Sequence, residues 1–491
     1  MATKAGQFDI WALADTAPKK SKPPSRRLRW VVDAITPLSL IIAAGVFVML
    51  PTSLSTAARL TLFAFTLAVI LWSTTSLNAA HVALLAVMLM VLSGGGSQEQ
   101  FVNALASDVI WLMIGAFILG GAVQHTGLAA RLTQFVVARA RTVRGVFWLL
   151  TGVLIPLSVI IPSTSGRAAI ATPIFRSLVQ AAGDRRITRA LALLMPTVIL
   201  VATIGSLIGA GSHLISIDLL DQIAERRISF AAWMLYGLPL AIVASFVACW
   251  LIVYLFLDKT LCDQALQMPA RTRTKISPAE WKTLLVIVLM VGFWLSEHWH
   301  GFEIAVVTMA GALLLTLPGV GVLPWKNGIK AVSWDLIIFV GAALVLGRSL
   351  IESGAADWII EHVFALSGIM AAESYVLIML LLSFITLTSH IYMTSHAARA
   401  VALTPAVLYL AESLQLNPVT VVFIATVGMD YCLTFPVSSK ALLMFQDLDG
   451  ETYQPADLLR LSSVLLPIHM ALIVAFYYGY WRWIGLGLGG A

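Results

Sequence analysis

Charge is what this chain has least of. Asp, Glu, Lys and Arg make up 11% of its 491 residues, while 59% are hydrophobic and the mean hydropathy is +0.91. A water-soluble domain carries about 25% charged residues, so too little charge is present to cover a water-facing surface of this size. Cysteine is scarce as well. Cys249, Cys262 and Cys432 have neither paired nor metal-type spacing, which excludes a disulfide framework. Alternating ten-residue strands are missing, which excludes a membrane barrel. HExxH, a nucleophile elbow and paired carboxylates at a loop tip are also missing, and with them the usual marks of a membrane-embedded enzyme. What remains is a membrane protein built from helices, each needing about 20 apolar residues to span.

Apolar spans fall near 31–50, 58–76, 79–94, 108–126, 190–217, 232–257, 283–297, 303–318, 335–351, 418–446 and 459–485. Two more apolar stretches, 146–180 and 374–411, are each broken by a short polar tip followed by Pro. Hydropathy alone allows either spanning helices or re-entrant hairpins. Arginine placement favours hairpins. If 146–180 enters and leaves on one side, Arg131, Arg139, Arg141 and Arg144 share that side with Arg185, Arg186 and Arg189, and with the basic loop 258–282. The opposite segments 96–106, 298–301, 354–373 and 412–417 contain no Lys or Arg, and only 218–230, with Arg226 and Arg227, departs. Cytoplasmic loops carry the excess of Lys and Arg. The expectation is an all-α polytopic protein of about eleven spans and two hairpins, N-terminus cytoplasmic and C-terminus outside. Residues 1–29, basic and rich in Pro and Ser, read as a cytoplasmic tail that sets orientation. They form neither a signal peptide nor a nucleic-acid arm. The Trp and Tyr residues of 476–483 read as an interfacial belt.

The two halves repeat. Residues 30–257 hold a hairpin (146–180) and a broken helix (190–217). After the cytoplasmic linker 258–282, residues 283–491 hold a second hairpin (374–411) and a second broken helix (418–446). Between 163–173 and 395–405, Ser163, Arg167, Ala168, Thr172 and Pro173 align without a gap on Ser395, Arg399, Ala400, Thr404 and Pro405. Upstream, the helix from Asp108 resembles the one from Asp335. Downstream, Ala202-Thr203-Ile204-Gly205 matches Ala425-Thr426-Val427-Gly428. An odd number of spans separates the copies, so they are inverted, and inverted repeats with interrupted helices mark secondary transporters with a site near the midplane.

The tips should place helix N-termini at membrane depth, where exposed N–H groups and the dipole attract anions. Ser163, Thr164, Ser165 and Ser395 add hydroxyls, which also serve as ordinary caps. Arg167 and Arg399 are guanidiniums at membrane depth, suited either to grip an anion or to lock structure by pairing with an acid or with helix carbonyls. His396 and Asp430 are candidates for proton coupling, and His390, His213 and Lys440 are other polar groups in apolar surroundings.

In these motifs the chain resembles the divalent anion/sodium symporter family of the ion transporter superfamily, from about residue 60 to the end. Family tips carry Ser-Asn-Thr with a Pro ten residues after the Ser. Here Ser163-Thr164-Ser165 and Ser395-His396-Ala397 stand in those places, with Pro173 and Pro405 at the same spacing. The family's helix-break motifs resemble Gly205-Ser206-Leu207-Ile208-Gly209-Ala210-Gly211-Ser212-His213 and Pro436-Val437-Ser438-Ser439-Lys440. The resemblance implies a homodimer with a scaffold and a mobile transport domain. It implies elevator-type carriage of dicarboxylate, tricarboxylate or sulfate, and substrate contacts from Ser163, Thr164, Ser165, Arg167, Ser395, His396, Arg399, Ser212, His213, Ser438, Ser439 and Lys440. Where relatives bind sodium, Ser163, Thr164, Gly205, Ser395 and Gly428 are the positions concerned, and no other cofactor is implied. The tip and loop asparagines of the family are replaced here by Thr164, His396, His213 and Lys440. This predicts weak or absent sodium coupling, with proton coupling or exchange in its place. A cation/proton antiporter of the same superfamily stands as the alternative; the two hairpin arginines would repel its cargo.

Overall fold

The computed structural model describes residues 26–50, 53–128, 131, 139, 141–161, 163–265, 275–359, 374–448 and 452–489. Most of the N-terminal tail, Pro162 of the first tip and the middle of the 258–282 linker lie outside the described residues. Helices dominate. Among the described residues there is no strand, only two isolated bridges, Thr142 with Ala265 and Leu416 with Gly489.

The first half opens with α1 (Arg26–Met49), α2 (Thr56–Thr74), α3 (Ala79–Leu92), the short α4 (Gln98–Ala104) and α5 (Asp108–Thr126). Then come α6 (Val143–Ile160) and α7 (Thr164–Ala182), the arms of the first hairpin. The first broken helix follows as α8 (Arg185–Val201) and α9 (Gly211–Ala224), and α10 (Phe230–Phe256) closes the half. The second half has α11 (Pro278–Leu295), α12 (Ile304–Thr316), α13 (Trp325–Ala331) and α14 (Trp334–Glu352). Its hairpin is α15 (Tyr375–Thr388) with α16 (His396–Ser413), its broken helix α17 (Pro418–Met429) with α18 (Lys440–Gln446), and its last helix α19 (Pro455–Gly479). The order helix, hairpin, broken helix, helix thus occurs twice, and among the described residues eight helices are long and apolar enough to cross a membrane, with shorter apolar helices beside them.

Short polar caps start these helices inside an apolar chain. Ser55, Ser107 and Ser229 accept from backbone N–H groups at the starts of α2, α5 and α10, and Ser277 with Glu280 forms a capping box on α11. Packing interleaves the halves. Helix α5 packs on α12 and α14 on α3, while α9 packs on α16, α7 on α8, and α18 on both α7 and α8. The span from Arg185 to Gly205 lies at the centre, with 94% of its apolar window enclosed, against 28% for α11. Apolar side chains exposed on the outer helices, such as Leu285, Val288 and Leu289 of α11, face the lipid that serves as their solvent.

The aromatic cluster at 476–483 corrects the reading as a simple belt. Trp481 is fully buried and its indole donates to the Tyr236 carbonyl at 2.9 Å, while the Tyr480 hydroxyl donates to Leu235 O at 3.0 Å. The cluster ties the C-terminal end of α19 to α10, and only Trp483 is widely exposed.

Candidate functional site

Both hairpin tips and both helix breaks meet around one cavity of about 450 Å³. The first tip is built by Ser163, which caps α7 by accepting from Gly166 N at 3.1 Å. The second is built by Ser395, which accepts from Ala398 N at 3.3 Å. Each serine caps its helix and lines the cavity at once, so the structural and the functional roles coincide. In the first break the chain leaves α8 in tight turns, with Ser206 and Ala210 extended on either side of Leu207–Gly209. Only glycine fits at 209, because a Cβ there would lie 2.3 Å from Thr203 O. Helix α9 then starts at Gly211 with no side-chain cap, and its first residues, Gly211 and Ser212, line the cavity at the positive end of the helix dipole. The second break passes Asp430 and turns through Pro436–Ser438 into Ser439, which caps α18.

Of the residues singled out in the sequence, Ser163, Thr164, Ser165, Ser212, Ser395, His396, Ser438, Ser439 and Lys440 line this cavity. Lys440 is exposed to it and makes no ion pair or side-chain hydrogen bond among the described residues. Arg167, Arg399, His213, Asp430, Gly205 and Gly428 do not line it; they form the layer behind it. Arg167 is fully buried. Its Nη2 donates to Gly209 O at 2.6 Å, while Nε and Nη1 have no hydrogen-bond partner among the described residues. Arg399, also fully buried, donates from Nη1 to Met393 O at 3.3 Å. Both arginines therefore anchor the carbonyls that end an unwound segment.

Asp430 is the hub of that layer. It accepts from Ser212 Oγ at 2.8 Å and Thr203 Oγ1 at 3.1 Å and pairs with His213 Nε2. His396 Nδ1 stands 3.8 Å from its other oxygen. His213 is held from behind by Ser206 O at 2.9 Å and lies against the Trp233 ring, centroids 4.6 Å apart. Asp430 does not pair with Lys440. Gly205 and Gly428 serve as packing positions: a Cβ would lie 3.1 Å from Leu238 at the first and 2.1 Å from Thr386 Oγ1 at the second. His390 is bonded through both nitrogens, to Leu387 O and to Thr434 Oγ1, which continues to Ser462.

Sequence reasoning missed the opposite wall. Asn78 and Asp335 line the cavity from the starts of α3 and α14, with Phe117 and Phe339 beside them. Asp335 was visible as a repeat position, but nothing in the sequence brings Asn78 to it.

The comparisons agree with this architecture. A solved transporter of Alcanivorax borkumensis, YdaH, described as having an unusual topology, superposes with a TM-score of 0.58 over 87% of this chain and 99% of its own, at 15% identity. A Cupriavidus necator protein described only as a membrane protein is 26% identical over 94% of each chain. The citrate/succinate antiporter of Escherichia coli is 22% identical over 75% of this chain and 77% of its own. The sodium-dependent dicarboxylate transporter SdcS of Staphylococcus saprophyticus is 24% identical over 75% and 76%. The profile of the sodium:sulfate symporter transmembrane region matches residues 32–487, nearly the whole chain. This multi-pass membrane protein therefore belongs to that family of anion transporters, the divalent anion/sodium symporters.

Proposed function

We propose that the protein is a secondary active carrier of small anions, of the dicarboxylate, tricarboxylate or sulfate class. The observation that carries this reading is the single cavity of about 450 Å³ on which two hairpin tips, two helix breaks and the unpaired Lys440 converge. The N-termini of α7, α9 and α16 supply N–H donors, the serines supply hydroxyls, and Lys440 supplies a mobile positive charge. Behind the cavity lie two buried guanidiniums and one buried carboxylate, so the fixed charge of the layer is net positive and favours an anion in front of it.

In this reading α1–α5 with α11–α14 form a frame, and the hairpins and broken helices with α10 and α19 form the moving group. Movement of the second group against the first would carry the site across the membrane, an elevator in a homodimer of the inner membrane. The cavity reaches Leu77–Asn78 and Ser333–Asp335, which the arginine distribution assigns to the cytoplasmic side, so this state faces inward. Coupling does not depend on sodium in this proposal. Arg167 holds a carbonyl of the first break and Arg399 one of the second hairpin tip, so both already bring positive charge there, and a sodium ion beside them would be repelled. Exchange, or protons moving through Asp430 and His396, supplies the drive; one relative is an antiporter by name and another is sodium-dependent by name.

Melting curves of the purified protein with succinate, citrate and sulfate, in sodium or in choline buffer, test both parts. A ligand that binds only the folded state raises apparent stability. The expected result is a rise with at least one of these anions, equal in both buffers. No rise with any of them removes the anion site, and a rise confined to sodium removes the sodium-free mechanism.

A further inference from the structure

An anion cavity has no obvious use for a carboxylate, yet Asp335 lines this one and is exposed to it. We infer that Asp335, oriented by Asn78, selects an anion that carries a hydrogen-bond donor, a hydroxyl or an ammonium, in addition to its carboxylates. The inference rests on the carrier reading above and narrows its substrate class.

The geometry fixes the acid. Asn78 Oδ1 is occupied as the cap of α3, accepting from Ala80 N at 2.8 Å and His81 N at 3.3 Å. Its amide nitrogen is thereby aimed at α14, where it donates to Asp335 Oδ2 at 2.5 Å. Asp335 Oδ1 has no hydrogen bond among the described residues, so one acceptor oxygen stays available to a ligand. Lys440 and the tip serines belong to the moving hairpin and break elements, and Asp335 to the opposite wall. The cavity is thus bipolar, with donors on one wall and a fixed carboxylate on the other. A ligand that is anionic throughout is repelled by that wall, whereas one offering a donor there gains a charge-assisted bond. Discrimination by a repulsive element of this kind is a general device.

An acid in the first turn of a helix is also favoured by the helix dipole, and Asp335 occupies that place. The dipole does not account for the bond to a capped asparagine or for the position on the cavity. The repeat provides the contrast. Asp108 holds the same place on α5 and lines two other cavities, with Asp218, instead of the one at the tips.

The test is competitive binding to the purified full-length protein with succinate, L-malate and L-aspartate, three four-carbon dicarboxylates that carry hydrogen, a hydroxyl or an ammonium at one carbon. The wild type should prefer malate or aspartate to succinate by about tenfold, the value of one hydrogen bond to a charged group. In Asp335→Asn that ratio should fall towards one, and Asp335→Glu should keep part of it and check that changes at this position leave a folded protein. Equal affinities in the wild type, or an undiminished preference in Asp335→Asn, overturn the inference and leave the carrier reading standing. Binding of none of the three overturns it as well, and takes the carrier reading with it only if citrate and sulfate also fail.

Discussion

Replacing Asp430 by Asn removes one charge and almost no volume from the middle of the protein. The carboxylate is 2% exposed, pairs with His213 and accepts from Ser212 and Thr203. Taking one partner from a buried ionic network costs about 3–5 kcal/mol. The two hydroxyl bonds alone fall from about 1.5–3 kcal/mol each to about 0.5–1.5 when their acceptor becomes neutral. Asp430→Asn should therefore lower the melting temperature of the solubilised protein well below that of the wild type, compared at one scan rate because membrane-protein unfolding is commonly irreversible. His213→Gln should also destabilise, and the double variant should lose less than the sum, because both changes break the same contact. A double variant that loses the full sum would show the pair to be independent. An Asp430→Asn protein that melts with the wild type would refute the hub altogether.

Arg167→Gln and Arg399→Gln each remove a buried positive charge and a carbonyl anchor from behind the cavity, so each should weaken anion affinity by about tenfold through the lost long-range attraction, and Lys should restore part of it by restoring the charge. Ligand titrations check this, and unchanged affinity in both variants would return the site to the tip serines and Lys440 alone. Gly237→Ala should abolish stable expression, since the added Cβ would stand 2.2 Å from Ile204 O, a backbone atom fixed by the Trp233 indole bond at 3.0 Å; normal yield and melting would contradict that packing. Cysteines introduced at positions 270 and 491 should respond oppositely to an impermeant thiol reagent on intact cells, blocked at 270 and labelled at 491, and the reverse pattern would invert the topology.

Much of this arrangement was legible in the sequence because membrane helices are coded locally. Each hairpin tip announced itself by a Ser cap with a Pro ten residues on, and Ser163 and Ser395 do cap α7 and α16. The breaks were legible as Gly- and Ser-rich interruptions of apolar runs, and Gly209 shows why glycine is needed there. Side-chain direction was not legible. Arg167 and Arg399 sit one turn past their tips, and hydropathy cannot say whether such a group faces the cavity or the carbonyls behind it. Nor could the sequence pair residues across its length: Asn78 meets Asp335, and Asp430 meets Ser212 and His213, only through the interleaving of the two halves. Trp481 misled because a tryptophan near a helix end suits a membrane interface and a hydrogen-bonded core equally well.

Counterflow in proteoliposomes tests the central claim most directly. Vesicles loaded with an unlabelled dianion and diluted into a trace of the same labelled anion in choline buffer should accumulate label transiently above equilibrium. Variants lacking Lys440 or both tip serines should lose the overshoot. A monotonic approach to equilibrium, or an overshoot that requires sodium, would contradict a sodium-free carrier that alternately exposes one anion cavity.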